Sequence, residues 1–276
     1  MRLMKTKTVL ILAVFLGLFA YSLPLYASNT EYHIEELTVI DIPIVGKIST
    51  QTNSYLSGCK LKETTIFRMH NMLIKMMSES AGKTRDIMLS DLCEEIQWKY
   101  DEESAEYQSY SFAETRAQLA QDDENREVQI DMESDQNDIK NDPDIRHEIL
   151  GIEKNINGFK ARKVVTTVSG DNQNNPVIIE EYYSTKAKAL TKITRTREKL
   201  AEELGYGEEN IDGVPSFINN AYASISEDED WQRPEGEVIR FVISLMDDDN
   251  DPVFTMTYDV ITAETTGYDA DHFSLK

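Results

Sequence analysis

The histidines and acidic pairs of this sequence are the residues whose chemistry could support catalysis. No histidine lies in an H-E-x-x-H zinc motif, and the chain has no G-x-S-x-G nucleophile elbow. Adjacent carboxylates such as Glu94–Glu95 and Glu180–Glu181 carry little information in a chain with 50 acidic residues. We therefore expect a non-enzymatic protein with no catalytic residue and no cofactor, although a Ser/His/Asp triad assembled by the fold stays open. The isolated histidines are His33, His70, His147 and His272.

Two acidic runs raise the question of metal binding. Calcium prefers several carboxylate oxygens on a flexible loop, and Asp247 to Asp251 and Glu227 to Asp230 are rich in them. In the first run, however, Pro252 stands where an EF-hand loop needs glycine, and the distal glutamate is absent. We predict a solvated hairpin turn there and no dedicated metal site, with weak calcium binding as the open alternative.

The methionine-rich stretch of residues 66–77 is the strongest candidate for binding an apolar ligand. Read as a strand, it is apolar on both faces, and methionine adapts to irregular apolar partners. Downstream, residues 93–100 alternate cleanly, so that Trp98 and Tyr100 share one face and Gln97 and Lys99 the other. The alternative is ordinary core beneath a helix. The candidate lining residues are Phe67, Met69, Leu73, Met77, Trp98 and Tyr100.

The charge balance narrows the classes of partner. The chain has 276 residues, with 28 Lys and Arg against 50 Asp and Glu, which gives a net charge of −22. Binding to nucleic acid requires a basic surface, so we exclude it. With 40% apolar residues the chain can form a packed core, and this composition disfavours an intrinsically disordered chain.

Residues 1–27 have the anatomy of a secretory signal peptide. Arg2, Lys5 and Lys7 precede an apolar run of residues 8–20, and Pro24 and the small Ala27 follow it. We predict cleavage after Ala27 and a periplasmic or secreted protein, without stable membrane insertion once the peptide is removed. An uncleaved N-terminal anchor is the alternative.

Export to an oxidising compartment bears on the two cysteines. An even pair in a secreted chain favours a Cys59–Cys93 disulfide, with two separate buried thiols as the alternative. Neither cysteine has another cysteine or a histidine nearby at the spacing of a zinc site.

The remaining pattern predicts an α+β fold in one domain, residues 28–276. Short alternating strands dominate, with turns near Gly58 and at Asn157–Gly158 and a final hairpin around residues 247–252. A capping box, Ser111 to Glu114, predicts one helix, and residues 187–204 predict another. Residues 122–144 are acidic and poor in apolar side chains, so we expect an exposed connection.

Several stretches, in order, resemble the DUF4412 family of the LolA/LolB-like outer-membrane lipoprotein carrier superfamily. They cover most of residues 30–276. They are Tyr32-His-Ile-Glu-Glu, Gly58-Cys-Lys-Leu-Lys-Glu63, Asp86-Ile-Met-Leu-Ser-Asp91 with Ile96-Gln-Trp98, Tyr107-Gln-Ser-Tyr-Ser-Phe-Ala-Glu114, Ile156-Asn-Gly-Phe-Lys-Ala161, Glu181-Tyr-Tyr-Ser-Thr185 and Asp271-His-Phe-Ser-Leu275. The chain departs from the family pattern at its end, which lacks the Pro-Gly-Tyr, and in its longer acidic segment.

The resemblance implies a curved antiparallel sheet, a half-open barrel with helices plugging its concave face. It also implies an exported bacterial protein whose concave face holds acyl chains, and it transfers no catalytic residue. We therefore expect a lipid-like or other apolar ligand. The alternative is an envelope module that binds a partner protein and whose core is filled by its own helices.

Overall fold

The computed structural model describes residues 30–43, 46–70, 84–118, 144–169, 176–205, 232–247 and 249–275. Three sets of residues named in the sequence analysis lie outside the described residues: the predicted signal peptide, the candidate lining residues Leu73 and Met77, and residues 122–143 of the acidic segment. Asp144 is described, and it begins a strand instead of ending a connection. Within the described ranges, no helix is long and apolar enough to cross a membrane.

The described residues form eleven strands, two α-helices and a short 3-10 helix. The strands are β1 (Thr30–Ile42), β2 (Gly46–Ser57), β3 (Lys60–Met69), β4 (Thr84–Asp91), β5 (Ile96–Asp101), β6 (Glu106–Ser111), β7 (Asp144–Ile156), β8 (Phe159–Ser169), β9 (Val177–Ser184), β10 (Glu237–Met246) and β11 (Pro252–Gly267). The described part of helix α1 covers residues 112–118, helix α2 is Lys188–Leu204, and the 3-10 helix is Ala270–Phe273.

All eleven strands form one antiparallel sheet in the order β6-β5-β4-β3-β2-β1-β11-β10-β9-β8-β7. It consists of two meanders, β1 to β6 and β7 to β11, joined where β1 pairs with β11. The sheet is open, because β6 and β7 at its two ends do not pair with each other. The predicted α+β class is confirmed, with the helices inserted into a sheet that otherwise runs by hairpins.

The sheet curves strongly. Eleven flat strands spaced about 4.8 Å apart would put the two edges almost 50 Å from each other. Yet Phe112, directly after edge strand β6, and Ile156, at the end of edge strand β7, belong to one apolar cluster around α2. The sheet therefore wraps around α2 as an open half-barrel. We call the face on which α2 lies the inner face and the opposite one the outer face.

Local signals explain the turns and helix ends. Strand β1 ends at Ile42, directly before Pro43, and β2 begins at Gly46. At the predicted β7–β8 hairpin turn Asn157 and Gly158 both have positive φ, 50° and 89°, as a type I′ turn requires. The capping box is formed: the Ser111 amide donates to the Glu114 carboxylate at 2.8 Å, and the Glu114 amide donates to Ser111 Oγ at 3.2 Å.

Cys59 and Cys93 form a disulfide in the structure, with their Cα atoms 5.6 Å apart. The bridge joins the β2–β3 turn to the β4–β5 turn, at one end of the first meander. The Leu92 amide also donates to the Cys59 carbonyl at 3.0 Å, so the two turns are held together by backbone as well.

Candidate functional site

Helix α2 covers one half of the inner face. Its buried side chains include Leu190, Ile193, Leu200 and Leu204, the apolar stripe that the 3.6-residue period predicts. The helix ends at Gly205, whose φ of 79° gives the left-handed cap that a non-glycine residue adopts only with strain. The strand residues packed with this stripe include Ile34, Leu56, Leu61, Ile239 and Val260.

One charged residue interrupts the apolar stripe of α2. Arg197 lies one helical turn after Ile193, and its guanidinium points into the sheet. It donates two hydrogen bonds to the two carboxylate oxygens of Glu36 on β1, at 3.1 and 2.6 Å. A third goes to Glu63 on β3 at 2.8 Å, and a fourth to Ser54 Oγ on β2 at 2.8 Å. A single side chain thus links α2 to three strands.

Tyr258 on β11 completes this polar network, because its hydroxyl donates to the Glu36 carboxylate at 2.7 Å. Burial and the nearby Glu36 carboxylate raise the pKa of Tyr258, so the phenol stays protonated and acts as a donor. Burial alone would lower the pKa of Arg197, but the hydrogen bond to Glu36 and the charge of Glu63 raise it. The arrangement therefore holds one permanent cation against two carboxylates.

Sequence reasoning missed this network. Apolar periodicity identifies the helix stripe but gives an arginine inside it no partner, since Glu36 and Glu63 come from strands distant in the chain. The only local signal is the position of Arg197 itself, four residues after a buried isoleucine.

The second half of the inner face is apolar and is formed by strand residues. Paired residues of neighbouring strands share a face, so the register defines rows across the sheet. One row is apolar across six strands: Met69, Ile48, Ile40, Met256, Ile243 and Ile179. We call it the apolar row. Ile243 and Ile179 are fully buried, and the cluster to which they belong contains, among the described residues, only strand residues.

The six lining residues predicted from the sequence do not come together on one face. Met69 belongs to the apolar row, and Phe67 lies on the same inner face two residues before it. Leu73 and Met77 lie outside the described residues. Leu61 on β3 packs with α2 and pairs with Ser90 on β4, which in turn pairs with Gln97 on β5. Because paired residues share a face, Gln97 faces inward. Trp98 and Tyr100 therefore lie on the outer face.

The inward position of Gln97 has a physical explanation. It is 6% exposed, and its amide donates to Ser90 Oγ at 3.0 Å and to the Met88 sulfur at 3.2 Å. A buried amide with partners is tolerated where an unpaired one is not. Alternation predicts which side chains share a face, but not which face is inward.

Two histidines, His70 and His272, lie beside a possible partner of a catalytic triad. Ser49 Oγ and His70 Nε2 lie 2.8 Å apart on the outer face, but no described carboxylate is bonded to the other ring nitrogen. His272 does meet a carboxylate, Glu31 at 2.7 Å, but stacks on Tyr55 instead of facing a serine. Neither His70 nor His272 therefore forms a complete Ser/His/Asp triad with the described residues.

The acidic turn between β10 and β11 uses its first carboxylate internally. Asp247 Oδ1 accepts hydrogen bonds from the backbone amides of Asp249 at 3.0 Å and Asp251 at 2.9 Å. This is the capping of a hairpin turn by an aspartate side chain, which is the solvated-turn interpretation.

Comparison with known proteins does not assign the chain to a family. No family model matches the chain, and no curated protein sequence matches it significantly. Among solved structures, a LolA superfamily protein from Nitrosomonas europaea is similar over 88% of this chain and 90% of its own, with 8% sequence identity and a TM-score of 0.27. The half-barrel assignment rests on the strand order and register described above. The finer resemblance to DUF4412 stays a prediction.

Proposed function

We propose that this is an exported, non-enzymatic protein that binds a lipid-like or other apolar ligand against the apolar row. The observation that carries the proposal is the continuity of the row across six strands of the inner face, beside the α2 stripe. Ile243 and Ile179 are already covered, so the ligand would contact the four half-buried members, Met69, Ile48, Ile40 and Met256. Assignment to a DUF4412-like family and location in the periplasm or outside the cell are parts of this proposal.

The physical basis is burial of acyl chain against aliphatic and methionine side chains. Each methylene removed from water contributes about 0.8 kcal/mol, so ten of them give about 8 kcal/mol before the costs of association. Met69 and Met256 flank Ile48 and Ile40 in the row, and their flexible thioethers can adapt to chains of different shape.

A second function is supported by the other half of the inner face. There α2 already fills the concavity with its own leucine and isoleucine side chains and is held by Arg197. A protein whose whole inner face is filled in this way would act as an envelope module that binds a partner protein. The two proposals differ in whether the apolar row can accept a ligand.

A pair of adjacent substitutions tests the choice. Met256 faces inward in the apolar row, and Thr257 is half-buried on the opposite face of the same strand. Met256→Trp fills space at the row, whereas Thr257→Trp adds the same ring outside it. Uptake of a fluorescent fatty acid should fall in Met256→Trp and stay at the wild-type level in Thr257→Trp, with both variants showing wild-type circular dichroism.

A second measurement on the same protein preparation can contradict ligand binding. Native mass spectrometry of wild-type protein should detect a co-purified lipid or a complex with added fatty acid. If neither is found and both tryptophan variants behave alike, the inner face is filled by the protein itself and the partner-binding function is favoured.

A further inference from the structure

The last strand of the second meander has an open edge. Strand β7 pairs with β8 on one side, and no described strand pairs with it on the other. The register extends the apolar row from Ile179 through Thr166 on β8 to His147 on β7. Ile145 and Ile149, two residues on either side of His147, therefore face inward as well, yet Ile149 is 49% exposed. The N–H and C=O groups of such an edge can pair with another strand.

Only the second half of this edge is protected by its shape. Edge strands of natural proteins are commonly blocked by a bulge or a proline. In β7 a bulge lies between Leu150 and Glu153, where the pairing with β8 skips residues. Residues 144–150 pair with β8 in unbroken register and contain no proline. We call these seven residues the open segment.

The charged side chains of the open segment alternate with its inward-facing ones, so they lie on the outer face. Arg146 donates to the Asp144 carboxylate of its own strand at 2.7 Å, and its side chain is 79% exposed. Glu148, two residues further along the same face, is exposed and forms no ion pair with another described residue. Both Arg146 and Glu148 can therefore reach a strand that pairs at this edge.

The order of charges in the open segment selects one way in which two copies can pair. Paired residues of an antiparallel ladder face the same side of the sheet, so a two-fold axis near the centre of the segment passes through Arg146, His147 or Glu148. An axis through Arg146 places two arginines opposite each other, and an axis through Glu148 places two glutamates, which is destabilising. An axis through His147 instead places Arg146 opposite the partner's Glu148 twice. It also places Ile145 opposite the partner's Ile149 twice.

We propose that the protein forms a two-fold dimer in which the open segments of two copies pair antiparallel, with His147 at the axis. Each half of the interface then gains backbone hydrogen bonds, an ion pair between Arg146 and Glu148, and a contact between two isoleucines. The sheet continues through both copies, and the exposed Ile149 is covered by the partner's Ile145. Because an interface of one strand edge is small, the dimer should form reversibly at micromolar concentrations.

Dimer formation is separate from ligand binding at the apolar row. The half-buried residues of that row lie on β1, β2, β3 and β11, whereas β7 is the fourth strand beyond β11 in the sheet. The ion pairs between Arg146 and Glu148 also form on the outer face, away from the row. Either function can therefore fail without the other.

Sedimentation velocity of the mature protein at physiological ionic strength tests the dimer, from low micromolar to near-millimolar concentration. Wild type should shift from monomer to dimer over this range. Arg146→Glu and Glu148→Arg each place like charges opposite each other in both ion pairs and should weaken association at least about tenfold. Lys154→Glu is the matched control, because it changes the net charge as Arg146→Glu does but lies beyond the bulge. It should associate within about threefold of wild type.

A mixture of the two single variants tests the register of the interface. Combining Arg146→Glu with Glu148→Arg in equal amounts places a carboxylate opposite a guanidinium in every pair, so heterodimers should form with nearly the wild-type affinity. Wild-type circular dichroism of each variant provides the folding control. The proposal is overturned if wild type stays monomeric, which leaves the edge to a strand of another protein. It is also overturned if Glu148→Arg associates like wild type, or if the mixture associates no better than each variant alone.

Discussion

Replacing Arg197 by methionine should destabilise the protein far more than an equivalent change elsewhere on α2. Methionine keeps the apolar stem of the side chain but removes four hydrogen bonds, two to Glu36, one to Glu63 and one to Ser54. Both carboxylates then lose their cation, and the Glu36 side chain is only 8% exposed.

The expected loss follows from what remains behind. Removing one partner of a buried ion pair costs about 3–5 kcal/mol, mainly because the other charge stays buried without compensation. Since 30% of the Arg197 side chain is exposed, water can reach part of the network, and we expect the lower end, about 3 kcal/mol. The free energy of unfolding is measured by urea titration followed by circular dichroism.

Arg195 supplies the matched control, because it lies on the exposed face of the same helix. Arg195→Met should change the free energy of unfolding by no more than about 0.5 kcal/mol. A triple variant that adds Glu36→Gln and Glu63→Gln to Arg197→Met should regain part of the loss, since neutral amides replace unpaired charges. If Arg197→Met costs no more than Arg195→Met, the network does not hold α2, and the reasoning is refuted.

Three further outcomes are expected. Intact mass and N-terminal sequencing of the exported protein should show Ser28 as the first residue, and a retained leader would contradict the signal peptide. Cys59→Ser with Cys93→Ser should lower the free energy of unfolding by about 3–4 kcal/mol, because the bridge spans 34 residues, and an unchanged value under oxidising conditions would show that it contributes nothing. The pKa of Tyr258 in the folded protein is raised above its unfolded value of about 10, so its contribution to stability is complete below pH 10 and is lost as the pH rises further. In wild type the free energy of unfolding should therefore fall with pH above 10 more steeply than in Tyr258→Phe, by about 1.4 kcal/mol per pH unit. Equal slopes of the free energy of unfolding against pH in the two proteins would contradict this.

Features that depend on residues a few positions apart were predictable from the sequence. The capping box at Ser111, the Asn157–Gly158 turn and the four-residue apolar stripe of α2 all appear as the local pattern indicates. In each case the signal lies within one continuous stretch of chain, so no distant partner is needed to interpret it.

Features that depend on the register between distant strands were not predictable. Whether Trp98 or Gln97 faces α2 is decided by pairing with β4 and β3, and a one-residue change of register exchanges the two faces. The role of Arg197 likewise needs Glu36, Glu63 and Tyr258 at positions that only the folded sheet specifies. Much of the candidate site could therefore not be predicted, because it depends on which residues of distant strands are paired.

The strand order also has a consequence for how the chain can assemble. The seam between the two meanders pairs Thr30 with Gly267, so it closes only when both ends of the folded region are present together. For a chain that crosses a membrane unfolded, as proposed, each meander can form by local hairpins, but the half-barrel cannot be completed before β11 emerges. Until β11 is available, one edge of β1 has no partner strand, although β1 lies in the middle of the completed sheet. A chaperone or another copy of the chain would therefore bind first at this unpaired edge, in the place of β11.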